Sequence, residues 1–229
     1  MNINIDNLFV LARRARANGD NNAAARYYEQ ILLVYPNNWE AVFYNDYCIA
    51  ASCIVRDIAP SAQRVKKAFN TAFYLVVNSN LPNKTEILYE MCDNSNILLN
   101  KLSDTAHYYF IQNFNVGGVE IEYMNMVYEC GMATCLIGDR FYDIGDKRVA
   151  TICYKKAPIF WRGHYKLNDL AINRIREYDP DYLTSTPPRP APPPSQSTAP
   201  PSSPKQDMFA LWFFVIVIFL VVIFIAMIR

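Results

Sequence analysis

Apolar residues recur along most of this chain at helical spacing. Residues 5–35 hold two such stretches, split by Asn18-Gly19-Asp20. In the first, Leu8, Leu11, Ala12 and Ala15 fall at i, i+3, i+4 and i+7, which places them on one helix face. In the second, Ala24, Tyr28, Ile31 and Leu32 do the same. Gly19 supplies the left-handed residue that ends many helices, Asp20 is a natural N-cap for the next one, and Pro36 stops it. Asn37 stands three residues before Glu40, which predicts a capping box. Residues 40–57 are strongly apolar, and Pro60 opens a stretch over 61–78 with Val65, Ala68, Phe69, Ala72, Phe73 and Val76 on one face. Asn83 and Glu86 predict a second capping box, before a helix carrying Leu88, Met91, Leu98, Leu99 and Leu102. Gly117-Gly118 breaks the pattern, which resumes with Val119, Tyr123, Met126, Val127, Cys130, Ala133 and Ile137. Gly145 breaks it again, Pro158 is expected to kink or split residues 148–166, and Leu170, Ala171, Ile175 and Tyr178 suggest a short last helix. No period-two run is long enough to predict a strand. The expected fold class is all-α, built from antiparallel helical hairpins stacked in sequence.

The end of the chain departs from this pattern. Residues 208–228 are 21 consecutive apolar residues without Gly or Pro, with Trp212 near one end. As a helix they span roughly 31 Å, the thickness of a bilayer core. Residues 184–207 hold nine of the fourteen prolines and predict an extended polyproline-type spacer, up to ~70 Å long. Two P-x-x-P patterns, Pro187–Pro190 and Pro190–Pro193, leave a ligand role for this segment open. The expected organisation is a helical domain over 1–183, a Pro-rich linker over 184–207 and a single transmembrane anchor over 208–229. The first twenty residues do not read as a secretory signal, because their basic residues follow the apolar stretch. The expected topology therefore keeps the helical domain in the cytoplasm.

The stretch LARRARANGDNNAAARYYEQILLVYPNNWEAVFY resembles a tetratricopeptide (TPR) repeat. Counted from Ile5, its matching positions are Leu8, Leu11, Ala12, Gly19, Ala24, Tyr28 and Pro36. Residues PNNWEAVFYN look like the crossing into a second repeat. Ala15, Ile31 and Asp46 depart from the family's residue preferences. The likeness covers about 45 residues and is nearest to bacterial TPR proteins, many of which carry a hydrophobic segment; it implies a bacterial plasma-membrane location. In that family the inner face of each first helix binds a partner. Carried over, the resemblance points to Phe9, Arg13 and Arg16, and from the partial second repeat to Phe43, Tyr44 and Tyr47. The Lys and Asn positions with which the family clamps a C-terminal carboxylate are occupied here by Phe9, Arg13, Tyr44 and Tyr47. A groove of aromatics and arginines suits an acidic–aromatic peptide instead. The competing reading packs these aromatics against the next hairpin.

Charge is near balance, with 22 Lys+Arg and 21 Asp+Glu, which argues against a histone-like nucleic-acid binder. It is unevenly spread. Between 147 and 176 stand Lys147, Arg148, Lys155, Lys156, Arg162, Lys166, Arg174 and Arg176 against a single acid, Asp169. This block is a candidate contact for anionic headgroups; a solvated face balanced by acids elsewhere is the other reading. Nucleic acid is not expected as a partner.

Catalytic signatures are sparse. No G-x-S-x-G, Walker loop, H-E-x-x-H or G-x-G-x-x-G occurs. Cys48/Cys53 and Cys130/Cys135 sit five apart, so on helices their thiols point about 140° apart, and no C-x-x-C exists. No metal, cofactor or catalytic residue is expected, and the cysteines read as buried thiols.

The expected function is a tail-anchored adaptor that holds a partner protein at the cytosolic face of a membrane. The alternatives are a membrane-bound enzyme using cysteine or histidine (His107, His164), and an adaptor of the kind used in organelle fission, which shares the layout of helical repeats and a tail anchor. Cell fractionation checks the anchor: a chain lacking 208–229 is expected to leave the membrane fraction, and one that stays there contradicts it.

Overall fold

A computed structural model of the chain describes residues 4–161, 172–173 and 175–176, all within the unit Met1–Ser185. These residues form helices and no strand. They are α1 (Ile5–Ala17), α2 (Asn21–Val34), α3 (Trp39–Ala51), α4 (Ile58–Val77), α5 (Lys84–Asn113), α6 (Val119–Asp143) and α7 (Lys147–Phe160), with a 3-10 turn at Val55–Asp57. The linker and the proposed anchor, 184–229, lie outside the described residues. Among the described residues no helix is long and apolar enough to cross a membrane.

Helix ends follow local chemistry. Gly19 takes φ +76° after α1, and the Asp20 carboxylate accepts from the Ala23 N–H at 3.0 Å to start α2. Gly118 and Gly145, both with positive φ, separate α5 from α6 and α6 from α7. Two expectations are corrected. The cap of α3 is Asn38, whose side chain accepts from the Ala41 N–H at 2.9 Å, so the Asn37–Glu40 box does not form and Glu40 is free to turn inward. Asn83 makes no side-chain cap bond at the start of α5. Within the apolar run 40–57, α3 ends at Ala51 and the Ser52 hydroxyl donates to the Cys48 carbonyl. Pro158 stands inside α7 without splitting it, and residues 162–166 of the expected stretch lie outside the described residues.

α1 packs on α2, α2 on α3 and α3 on α4; α4 also packs against α5 and α6, and α6 against α5 and α7. The predicted stripes of α4, α5 and α6 are buried at every position named above. Leu11 is the exception in α1: it is exposed, and only Leu8 and Ala12 of that face are fully inside. Aromatic rings run through the core in a continuous chain. Tyr28 stacks near Tyr44 (5.8 Å between centroids), Tyr44 meets Phe43 (4.8 Å), Phe43 meets Phe69 (6.5 Å), Phe69 meets Phe141 (6.5 Å) and Phe141 meets Tyr89 (5.8 Å). Five helices are thereby joined by offset and edge contacts, each worth about 0.5–1.5 kcal/mol beyond simple burial.

α7 is locked to α6 by two close approaches. Trp161, fully buried, lies over Gly131, and its indole N–H donates to the Tyr128 carbonyl at 3.3 Å. A Cβ at Gly131 would fall 2.0 Å from Trp161 Nε1, and one at Gly138 would fall 2.8 Å from the Tyr154 ring. These glycines are kept out of steric need, at a cost in helix propensity. Gly131→Ala is therefore expected to destabilise the full chain in detergent by about 1–3 kcal/mol. Gly117→Ala, with open space around it, is expected to change stability by less than about 0.5 kcal/mol. Denaturant melts followed by circular dichroism check both.

Candidate functional site

The first turn of α3 carries a carboxylate into the protein. Glu40 is only 7% exposed. An unpaired charge there would be costly, and two neighbours answer it. Arg13 of α1 makes a bidentate contact, Nε to Oε1 at 2.7 Å and Nη2 to Oε2 at 2.5 Å. The buried Tyr28 hydroxyl of α2 donates to Oε1 at 3.1 Å. The bond to Glu40 raises the Arg13 pKa above its ordinary value. Burial, and then the negative charge of Glu40, raise the Tyr28 hydroxyl well above its ordinary 10.0. Three helices thus share one carboxylate. The Arg13 guanidinium also lies 5.4 Å from the Phe9 ring centre.

One turn further along α1, Arg16 is held differently. Its guanidinium lies 3.4 Å from the Tyr44 ring centre, a cation–π contact. Its Nη2 is 3.7 Å from Glu90 of α5, a loose ion pair. The Tyr44 hydroxyl donates to the same Glu90 carboxylate and accepts from Asn94 Nδ2 at 2.9 Å. Arg16 Nη1 is buried and has no hydrogen-bond partner. Around it, α1, α3 and α5 enclose a pocket of about 230 Å³, walled by Trp39, Ile87 and Asn83.

The residues expected to line a partner groove are therefore sorted by burial. Phe43 (0% exposed) and Tyr44 (1%) belong to the core, because α4 and α5 cover the face that a bare repeat would leave open. Tyr47 is half-buried against both of them, 5.8 Å from each ring. Phe9 is half-buried, and Arg13 is consumed by Glu40. Of the six, Arg13, Arg16 and Tyr44 line that pocket, and Arg16 alone has a buried donor without a hydrogen-bond partner. Trp39 and Glu90 complete that pocket and were not anticipated. Glu40 was visible only as a cap residue, since its partners stand 27 and 12 residues upstream.

The basic block is partly described. Lys147, Arg148, Lys155 and Arg176 are exposed and Lys156 is half-buried; Arg162, Lys166 and Arg174 lie outside the described residues. Arg148 and Lys156 line a second pocket of about 190 Å³ between α5 and α7, with Cys92, Cys153 and Asn96 inside. The neighbouring Cys153 thiol and burial raise the Cys92 pKa. Asn96 Nδ2 donates to Cys92 Sγ at 3.4 Å. Sequence spacing gave no hint of this pair, 61 residues apart on different helices. All six cysteines are free. Among the described residues no three His, Cys, Asp or Glu side chains are grouped to hold a metal ion. His107 Nδ1 sits 3.4 Å from the Tyr123 hydroxyl, and His164 lies outside the described residues.

No protein-family model, curated protein or solved structure matches this chain.

Proposed function

We propose that this chain is a membrane-tethered, TPR-like helical adaptor that binds a partner protein at the cytosolic face through the Arg16 pocket. The observation that carries the reading is a pocket between three helices lined by Arg16, whose Nη1 is buried without a hydrogen-bond partner. A buried donor without an acceptor costs about 1–3 kcal/mol, and a turn of the guanidinium toward an acceptor bound in the pocket recovers it. The site contains Arg13, Arg16, Glu40 and Glu90, so its formal charges cancel. That balance favours a peptide carbonyl over the acidic run expected from the arginines alone. Trp39 offers an apolar wall for a side chain beside that carbonyl.

The TPR likeness supports the adaptor class through the α1–α2 hairpin, its Gly19 turn and the crossing into α3. The tether is 208–229, with 184–207 as spacer. Exposed Lys147, Arg148 and Lys155 add contacts to anionic headgroups, about 1 kcal/mol each near the surface.

Arg16→Gln in the full chain removes the guanidinium that lines the pocket and pairs with Glu90. Proximity labelling in cells is expected to show a set of neighbours lost from the variant, with membrane fractionation and helicity unchanged. An identical neighbour set from the two chains contradicts the reading.

A further inference from the structure

α5 and α7 meet along two matched stripes. Tyr89, Cys92, Asp93 and Asn96 stand at i, i+3, i+4 and i+7 on α5, and Val149, Ile152, Cys153 and Lys156 at the same steps on α7. With Arg148 they wall the pocket of about 190 Å³ between the two helices. Each stripe has its cysteine in the middle, and the two thiols are neighbours. Cys92 is 4% exposed and Cys153 0%, yet both border the pocket. That space far exceeds the roughly 10–15 Å³ needed to admit a water, so a molecule of two oxygens can reach sulfur there. Asn96 Nδ2 donates to Cys92 Sγ at 3.4 Å, which holds that sulfur in place. Lys156 stands one turn beyond Cys153, and with Arg148 it outweighs Asp93, the one acid in the wall. Such a setting favours a thiolate.

We propose that Cys92 and Cys153 are a redox modification site, at which a hydroperoxide forms a reversible disulfide that clamps α7 to α5. Cys153, as thiolate beside Lys156, attacks one peroxide oxygen, and the O–O bond breaks. The departing hydroxide takes the proton that Cys153 released and leaves as water, with a sulfenic acid on Cys153. Cys92 keeps its proton through this step. Its sulfur then attacks Cys153 sulfur, the S–O bond breaks, and the second hydroxide leaves as water with the Cys92 proton. Two thiols are oxidised, one hydroperoxide is reduced, and the S–S bond remains. Two small-molecule thiols restore the pair by exchange and leave as their own disulfide, which makes the bond transient in a reducing compartment. In the reduced chain the Tyr89 hydroxyl already ties α5 to Asp146, the N-cap of α7, at 2.7 Å. The disulfide adds a covalent tie two turns further along α7 and closes a loop of about 60 residues, which restrains the unfolded chain. The site draws neither on the Arg16 pocket nor on the tether.

The test is peptide mapping of the full chain in detergent micelles after exposure to graded hydrogen peroxide. Remaining thiols are alkylated, and the chain is cut with trypsin without reductant. Cleavage after Lys84, Lys101, Arg148 and Lys155 yields peptides 85–101 and 149–155, each with a single cysteine. These two are expected joined within one chain and released by dithiothreitol, with the other four cysteines alkylated. The linked chain is expected to melt about 5 °C or more above the reduced one. Cys92 and Cys153 both alkylated at every dose that leaves helicity intact overturns the proposal. So does a link through another cysteine, for instance Cys53, the most open of the six to solvent. Sulfinic acid on either residue without a link overturns it as well, and a joined pair that leaves the melting temperature unmoved overturns the clamp.

Discussion

The carboxylate of Glu40 is the constraint around which the first half of the fold is arranged. It sits in the first turn of α3, where a helix N-terminus tolerates negative charge, yet it is turned away from water. Burial of a charge is stable only when partners replace the lost hydration. Those partners come from two other helices: Arg13 with two bonds and Tyr28 with one. α1, α2 and α3 must therefore meet at one point in one register. Ala12, Ala24 and Ala41, all fully buried, let the backbones approach closely enough for that. The bidentate contact has a functional consequence. It commits Arg13 to the fold and leaves Arg16, one turn away, with a buried donor that no acceptor meets.

From that clasp the structure is carried forward by aromatic contact. The Tyr28 ring, whose hydroxyl serves Glu40, begins the chain of rings that passes through Tyr44, Phe43 and Phe69 to Phe141 and Tyr89. Tyr44 is the junction. Its face carries the Arg16 guanidinium, its hydroxyl binds Glu90 and Asn94 of α5, and its edge meets Phe43. The pocket is thus attached to the core through one ring. Displacing Arg16 alters the surface of Tyr44 but leaves its buried contacts in place. At the far end, Gly131 and Gly138 allow Trp161 and Tyr154 to lie directly on α6, which closes the helical unit.

Much of this was legible in the residues. The stripes of α4, α5 and α6 were readable because each of those faces has one role, to be buried. The turns at Gly19, Gly118 and Gly145 were readable because a positive φ leaves a local signature. The failures have a common cause. Leu11 fits the apolar stripe of α1, but no helix covers it, and periodicity cannot say where a neighbour is absent. Asn37 and Glu40 fit a capping box, but Asn38 caps the helix equally well and a distant arginine claims the glutamate. Phe43 and Tyr44 were candidate groove residues on a repeat considered alone, and α4 and α5 bury them. Cys92 and Cys153 meet only in the folded chain. In each case a long-range partner decided what local spacing left open.

The claim that a shared buried carboxylate holds the first three helices together, and so frees Arg16, is tested most directly by a double-mutant cycle. Stabilities of the full chain, Arg13→Met, Glu40→Gln and the double variant would be measured by denaturant unfolding in detergent. Because Arg13 is more than half exposed, solvent screening reduces its share. A coupling energy of about 1–2 kcal/mol is expected, with Glu40→Gln alone clearly destabilising. A coupling below about 0.3 kcal/mol, with additive single effects, would contradict the account.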